Sequence, residues 1–176
     1  MPLAIPVSNL DHTWGNSKAA IELVEYGDFQ CPHCGRAYPL VKELKYTFKD
    51  SIKLVFRHFP LTRVHPQAMA AAVAAEAAAV QDKFWEMHDM LFDNQAYLNI
   101  ESLLSYAETI GLDIAKFTDD LQDSSLHDKV ENDFMGGMRS GVNGTPTFFV
   151  NGERYEGSWE GDNLARYIEE QFGVKQ

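Results

Sequence analysis

The sequence predicts an α/β domain built as a β–α–β unit, a block of about four helices, then a β-hairpin and a closing helix. Three observations predict it. An apolar, β-branched run at Ile21 to Tyr26 leads into apolar residues at helical spacing, then into a second such run, Ile52 to Phe59. Residues 66–141 carry helix formers almost without a break. The dipeptide Asn151-Gly152 then separates two strand-like stretches, the signal of a two-residue hairpin turn.

Taken in order, residues 1–20 hold prolines, Asn9, Asp11 and Gly15-Asn16, and read as an extended lead-in. Ile21, Leu23, Val24 and Tyr26 mark a central strand. Glu22 fits its water-facing end, whereas Glu25 stands where a buried strand should have no charge. Ala37, Leu40, Val41, Leu44 and Phe48 share one helical face, so a helix runs from Cys31 to about Lys49. Pro39 inside it removes the bond to the Gly35 carbonyl and predicts a kink. The strand at Ile52–Phe59 follows a long crossover, so the two strands should be parallel.

The helical block opens at Pro66, and Ala68 to Phe92 reads as one long helix with nine alanines before Val80. Small residues on every face imply close packing on several sides. Asn99 caps a helix that Gly111 stops, Asp113 caps a short one to Leu121, and Val130, Phe134 and Met138 mark a last one ending at Gly141. Thr147–Val150 and Glu153–Glu156 form the hairpin. Leu164, Ile168 and Phe172 align on the closing helix, which Gly173 terminates. The whole chain, 1–176, reads as one domain, with 19–60 and 142–173 as its sheet-bearing core and 66–141 as the insertion.

A formal charge of −11 excludes nucleic acid and anionic membrane as partners, because both select basic surfaces. No apolar run reaches the 18 residues of a membrane span. The N-terminus lacks a basic region and its apolar stretch is broken by Pro6, so it does not read as a signal peptide. A cytoplasmic protein is expected, the alternative being the mature form of a periplasmic or secreted one. Two cysteines in 176 residues do not make a disulfide framework.

Both cysteines lie in Cys31-Pro32-His33-Cys34, after one strand and at the start of a helix. A C-x-x-C so placed is a redox dithiol pattern. The unpaired N–H groups and positive dipole end of the helix favour the Cys31 thiolate. Pro32 suits the first helical turn, and His33 can add positive charge beside the Cys31 sulfur. A zinc site would need His58 and His65 to complete four ligands, and their spacing of seven is no finger pattern, so no metal is expected. His58, His65, His88 and His127 otherwise read as surface or satisfied core residues, and Trp14, Trp85 and Trp159 as packing.

Cys31-Pro32-His33-Cys34, the loop Gly144-Thr145-Pro146-Thr147 and the helical block between two halves together resemble the DsbA-like family of thiol–disulfide oxidoreductases. The resemblance runs from about Asp11 to Phe172. It implies a thioredoxin fold with a helical insertion between its βαβ and ββα halves, Cys31 as nucleophile and Cys34 as its resolving partner. It also implies a cis Pro146 beside the active-site pair, with Thr145 pairing substrate backbone, and Glu25 as a buried carboxylate beneath the site, relaying a proton to Cys34. No external cofactor is expected, since the Cys31–Cys34 disulfide carries the electrons. The implied partners are protein thiols or disulfides and a recycling thiol or redox partner, with the chain itself a monomer. Thr145 stands where strong oxidants of the family often carry valine, so the direction of exchange stays open. The rivals are a glutathione-dependent transferase or isomerase on the same fold, which retention of Cys34 disfavours, and a client-binding module whose cysteines do not turn over.

Overall fold

The computed structural model describes residues 1–173. Strands β1 (His12–Gly15), β2 (Ile21–Gly27), β3 (Ile52–His58), β4 (Thr147–Val150) and β5 (Glu153–Arg154) form one sheet in the order β1-β3-β2-β4-β5. Helix α1 (Pro32–Phe48) makes the crossover from β2 to β3, and these two strands are parallel, Ile21 opposite Ile52. Between β3 and β4 lie α2 (Ala68–Val80), α3 (Phe84–Asp93), α4 (Ile100–Thr109), α5 (Ile114–Asp120) and α6 (Ser124–Arg139). Helix α7 (Asn163–Phe172) closes the chain after β5. The fold class is the expected α/β thioredoxin arrangement with a helical insertion.

Alternation along β2 sorts the core into two faces. Ile21 and Leu23 pack with Leu44 and Phe48 of α1, Phe148 of β4 and Ile168 of α7. Val24 and Tyr26 point the other way, to Phe59, Val142, Phe149 and the half-buried Phe134 of α6. A third cluster, from the insertion, closes over the end of the sheet around Phe29, Cys31 and Cys34. Glu25 shares the parity of Ile21 and Leu23, so it points beneath α1.

Five details differ from the sequence reading. Residues 12–15 are not lead-in but an edge strand, antiparallel to β3 with His12 opposite Phe56. Four residues including His, Thr and Gly carry too little alternation to read as a strand. The helix expected from Ala68 to Phe92 is broken: Asp82 takes a positive φ of 61° and Lys83 N–H donates back to the Ala78 carbonyl at 2.9 Å, so α2 and α3 are separate and the insertion holds five helices. On α6, Met138 faces outward at 54% exposure. Its place against the sheet is taken by Gly137, where a Cβ would meet the Phe59 and Tyr26 rings at 2.8 and 2.9 Å. Strand β5 stops at Arg154, two residues short of Glu156. Phe172 is 36% exposed, so only Leu164 and Ile168 are buried on α7. The Asn151-Gly152 turn has positive φ at both residues (48° and 84°), as a type I′ turn requires.

Two buried polar clusters fasten the elements together. Arg57 of β3 donates to both Asp11 oxygens (2.8 and 3.0 Å), to the Tyr26 hydroxyl (2.9 Å) and to the Ile5 carbonyl (2.8 Å), anchoring the N-terminal segment. Glu76, the one charged residue of α2, is buried against the sheet, where His12 Nε2 and His58 Nε2 bond to its Oε2 at 2.6 and 2.7 Å. Burial alone would raise the Glu76 carboxyl, but the two histidine bonds outweigh it and hold it well below the usual carboxylate range.

Candidate active site

The loop 28–30 hands β2 over to α1 with its polar groups occupied. The Asp28 carboxylate accepts from Gln30 N–H (2.8 Å), Leu61 N–H (2.9 Å) and His65 Nδ1 (2.8 Å), and the Gln30 side chain accepts from Gln67 N–H (2.7 Å). Cys31 is then the N-cap of α1, with extended backbone (φ −70°, ψ 123°), and Pro32 is the first helical residue. Helix α1 runs on through Pro39. Both cysteines are free thiols and buried, Cys31 2% and Cys34 0% exposed, while Pro32 and His33 are exposed.

The two sulfurs have opposite electrostatics. A hydrogen bond from the Cys34 thiol is the largest influence on Cys31. Together with the N–H groups of Cys34 and His33, it outweighs burial and brings Cys31 down to about 5. Cys34 is driven well above the ordinary thiol value by burial, then by Cys31 and Glu25. The free N–H groups of a helix start thus face one sulfur only. On the opposite side, Thr145 presents its carbonyl 3.6 Å from Cys31 Sγ, and the Thr145–Pro146 peptide is cis. The Thr145 hydroxyl is buried without a partner.

Glu25 is 7% exposed and makes no side-chain hydrogen bond among the described residues. Burial, and secondarily the Cys31 charge, push its carboxyl up to about 8. It borders a cavity of about 20 Å³ shared with Tyr38, Lys45 and His88, a volume that admits about one water. The exposed His33 ring lies beside Arg36, whose Nη2 is 2.8 Å from His33 Nδ1; a guanidinium only donates, so Nδ1 is the acceptor of this contact. What His33 brings to Cys31 is its backbone N–H.

A family model described as Thioredoxin matches residues 8–170. The chain belongs to the thioredoxin family. Among solved structures, this thioredoxin-family chain is similar to a thioredoxin-like oxidoreductase from Silicibacter pomeroyi, with a TM-score of 0.81 and 26% identity over 93% of this chain and 92% of that one. It is similar in fold to oxidised BdbD from Bacillus subtilis, with a TM-score of 0.84 at 22% identity over 96% of each chain. A variant of α-DsbA1 from Wolbachia pipientis matches with a TM-score of 0.79 and 25% identity over 97% of this chain and 94% of that one, so the DsbA-like resemblance of the sequence is borne out. Part of the Na⁺/H⁺ antiporter NhaA 1 of Salinispora arenicola is 46% identical over 171 residues, which is 97% of this chain and 26% of that protein. The chain thus spans about a quarter of the length of the curated relatives it matches.

Around this thioredoxin-family site the structure adds residues that local reading missed: Asp28, His65 and Gln95. Gln95, in the turn after α3, donates from Nε2 to the Phe29 and Cys31 carbonyls. Its only sequence signal is polarity at the end of a helix. The one side-chain group among the described residues with metal-like convergence is remote from the cysteines in sequence: His12, His58 and Glu76, with ligand atoms within 4.8 Å of one another. Their N···O separations of 2.6 and 2.7 Å are hydrogen bonds. A tetrahedral ion with bonds of about 2.0–2.1 Å would hold its ligand atoms about 3.3 Å apart. His58 Nδ1 is buried without the second partner that a ligating imidazole ordinarily has.

Proposed function

We propose that the chain is a protein thiol–disulfide oxidoreductase that exchanges through Cys31 and Cys34. The observation that carries this reading is the pair of free thiols at the start of α1, with Cys31 as the N-cap and Cys34 fully buried behind it. This placement pulls Cys31 down to about 5 and drives Cys34 upward. With the pair oxidised, a substrate thiolate attacks Cys31 Sγ, forming a mixed disulfide and breaking the Cys31–Cys34 bond. Cys34 leaves as a thiolate of high basicity and takes a proton. A second substrate thiolate attacks the substrate sulfur of the mixed disulfide and releases Cys31 as its stabilised thiolate. Two substrate thiols become one disulfide, and the pair gains two electrons. The reverse sequence reduces a substrate disulfide.

Glu25 supplies the proton that Cys34 takes. With a carboxyl near 8, it is protonated at neutral pH and lies close enough to raise Cys34 by its charge once ionised. Thr145 and Pro146 form the wall against which substrate backbone lies, opposite the Cys31 sulfur. The dithiol carries the electrons, and no further cofactor takes part. A strongly stabilised Cys31 thiolate stabilises the reduced form and makes the disulfide the better oxidant. That direction suits an oxidising compartment better than the cytoplasm of the sequence reading. No helix among the described residues is long and apolar enough to cross a membrane.

The test is the pH dependence of Cys31 alkylation in the reduced protein. The rate should titrate with a midpoint near 5, leaving about 99% thiolate at pH 7. A midpoint near the ordinary thiol value of about 8.5 would remove the activated nucleophile on which the reading depends.

A further inference from the structure

We infer that Gln95 is a positioning residue of the redox centre: its amide clasps the turn that presents Cys31 and requires Gly35 to be glycine. This rests on the thiol–disulfide reading above. Gln95 Nε2 donates to the Phe29 carbonyl at 2.8 Å and to the Cys31 carbonyl at 2.9 Å, bridging residues 64 and 66 positions away in sequence. The amide orientation is unambiguous, because both partners are acceptors and only the NH₂ end can face them. Its Oε1 lies over the backbone of Gly35, immediately after Cys34, and a Cβ there would run into Oε1 and meet Cδ at 2.7 Å. Gly35 does not have positive φ, so it is glycine for this contact and not for its backbone angles.

The consequence for the sulfur follows from the local dipoles. The Cys31 carbonyl oxygen puts negative partial charge on the residue that carries the sulfur, and the Phe29 carbonyl belongs to the same turn two residues before it. Two N–H groups from Gln95 offset that charge and also hold the turn in which the His33 and Cys34 N–H groups point at Sγ. Without the amide, the thiolate loses support on both counts. Gln95 comes from the helical insertion, so the insertion takes part in setting the redox property of a motif that lies wholly outside it.

Three variants separate this role from packing. Gln95→Met keeps the side-chain volume and loses the donors. Gly35→Ala leaves Gln95 in place but displaces its amide, since the obstructing atoms are the end of a flexible side chain. Alanine is also the better helix former, so this variant should fold. The readouts are the thiolate titration at 240 nm and the equilibrium with glutathione, in wild type, both singles and the double variant. Each single should raise the Cys31 titration by about half a unit to one unit and reduce the equilibrium constant for reduction about three- to ten-fold. The double should match the larger single, because both changes remove one amide clasp. Folded variants that titrate like wild type, or single effects that add in the double, would overturn the inference. If wild type itself forms no disulfide with glutathione, the thiol–disulfide reading fails first, and the two failures are distinct.

Discussion

Glu25→Gln makes the reduced protein more stable than wild type at pH 8, with the advantage shrinking as the pH falls to 5. The sign follows from the buried carboxyl, whose folded value near 8 lies above the ordinary 4.5. Between those values the folded state holds a proton that the unfolded state has released, so wild-type stability declines as the pH rises through this window. The full contribution is present below 4.5 and has been lost above 8. The differential between pH 5 and pH 8 is about 3 kcal/mol. Urea denaturation of both proteins at several pH values measures it, and other titrating groups cancel in the difference. The same substitution removes the acid that protonates departing Cys34. Disulfide transfer should slow about 100-fold at neutral pH, with the wild-type inflection near pH 8 abolished. Parallel stability curves together with unchanged rates would place Glu25 outside both stability and mechanism.

Glu76→Ala should cost about 3–5 kcal/mol, the range for breaking a buried charged cluster by removing one partner. His58 is 1% exposed, and its Nε2 would lose the acceptor that it reaches at 2.7 Å. His12 would lose the bond that ties edge strand β1 to α2. The variant should also lose acid sensitivity. A carboxyl held below its ordinary range contributes stability above about 4.5 that is lost as the pH falls through its folded value. The urea midpoint should therefore drop at pH 7 with the slope unchanged, and the gap from wild type should close as the pH is lowered below 4.5. A loss under about 1 kcal/mol would show that the cluster is dispensable for holding the insertion to the sheet.

The legible parts of this chain are those whose chemistry is contiguous. Cys31-Pro32-His33-Cys34 at a strand–helix junction, Thr145-Pro146 before a strand, and Asn151-Gly152 between strands each state their geometry within a few residues. The caps at Asn99 and Asp113 do likewise, and both accept the expected helix N–H. The illegible parts depend on partners far apart in sequence. Strand β1 owes its existence to the open edge of β3, which four residues cannot announce. The break at Asp82 comes from α3 folding back on α2, against a run of strong helix formers. His12, His58 and Glu76 form one cluster across 64 residues, and the only local sign was a single glutamate among alanines. Gln95 and Gly35 explain each other only in space. The contact between the His33 ring and Arg36, one helical turn on, is likewise set by the folded helix and is not stated by the motif.

The measurement that tests the central claim most directly is equilibration of the Cys31/Cys34 pair against glutathione, with Cys31→Ser as control. The expected result is one intramolecular disulfide per chain, absent from the control. Its two-electron midpoint should lie towards the oxidising end of the family range, nearer about −120 mV than about −270 mV. A midpoint near the reducing end would keep the exchange chemistry and reverse its proposed direction. A pair that forms no disulfide at any glutathione ratio would contradict the account and leave a client-binding module in its place.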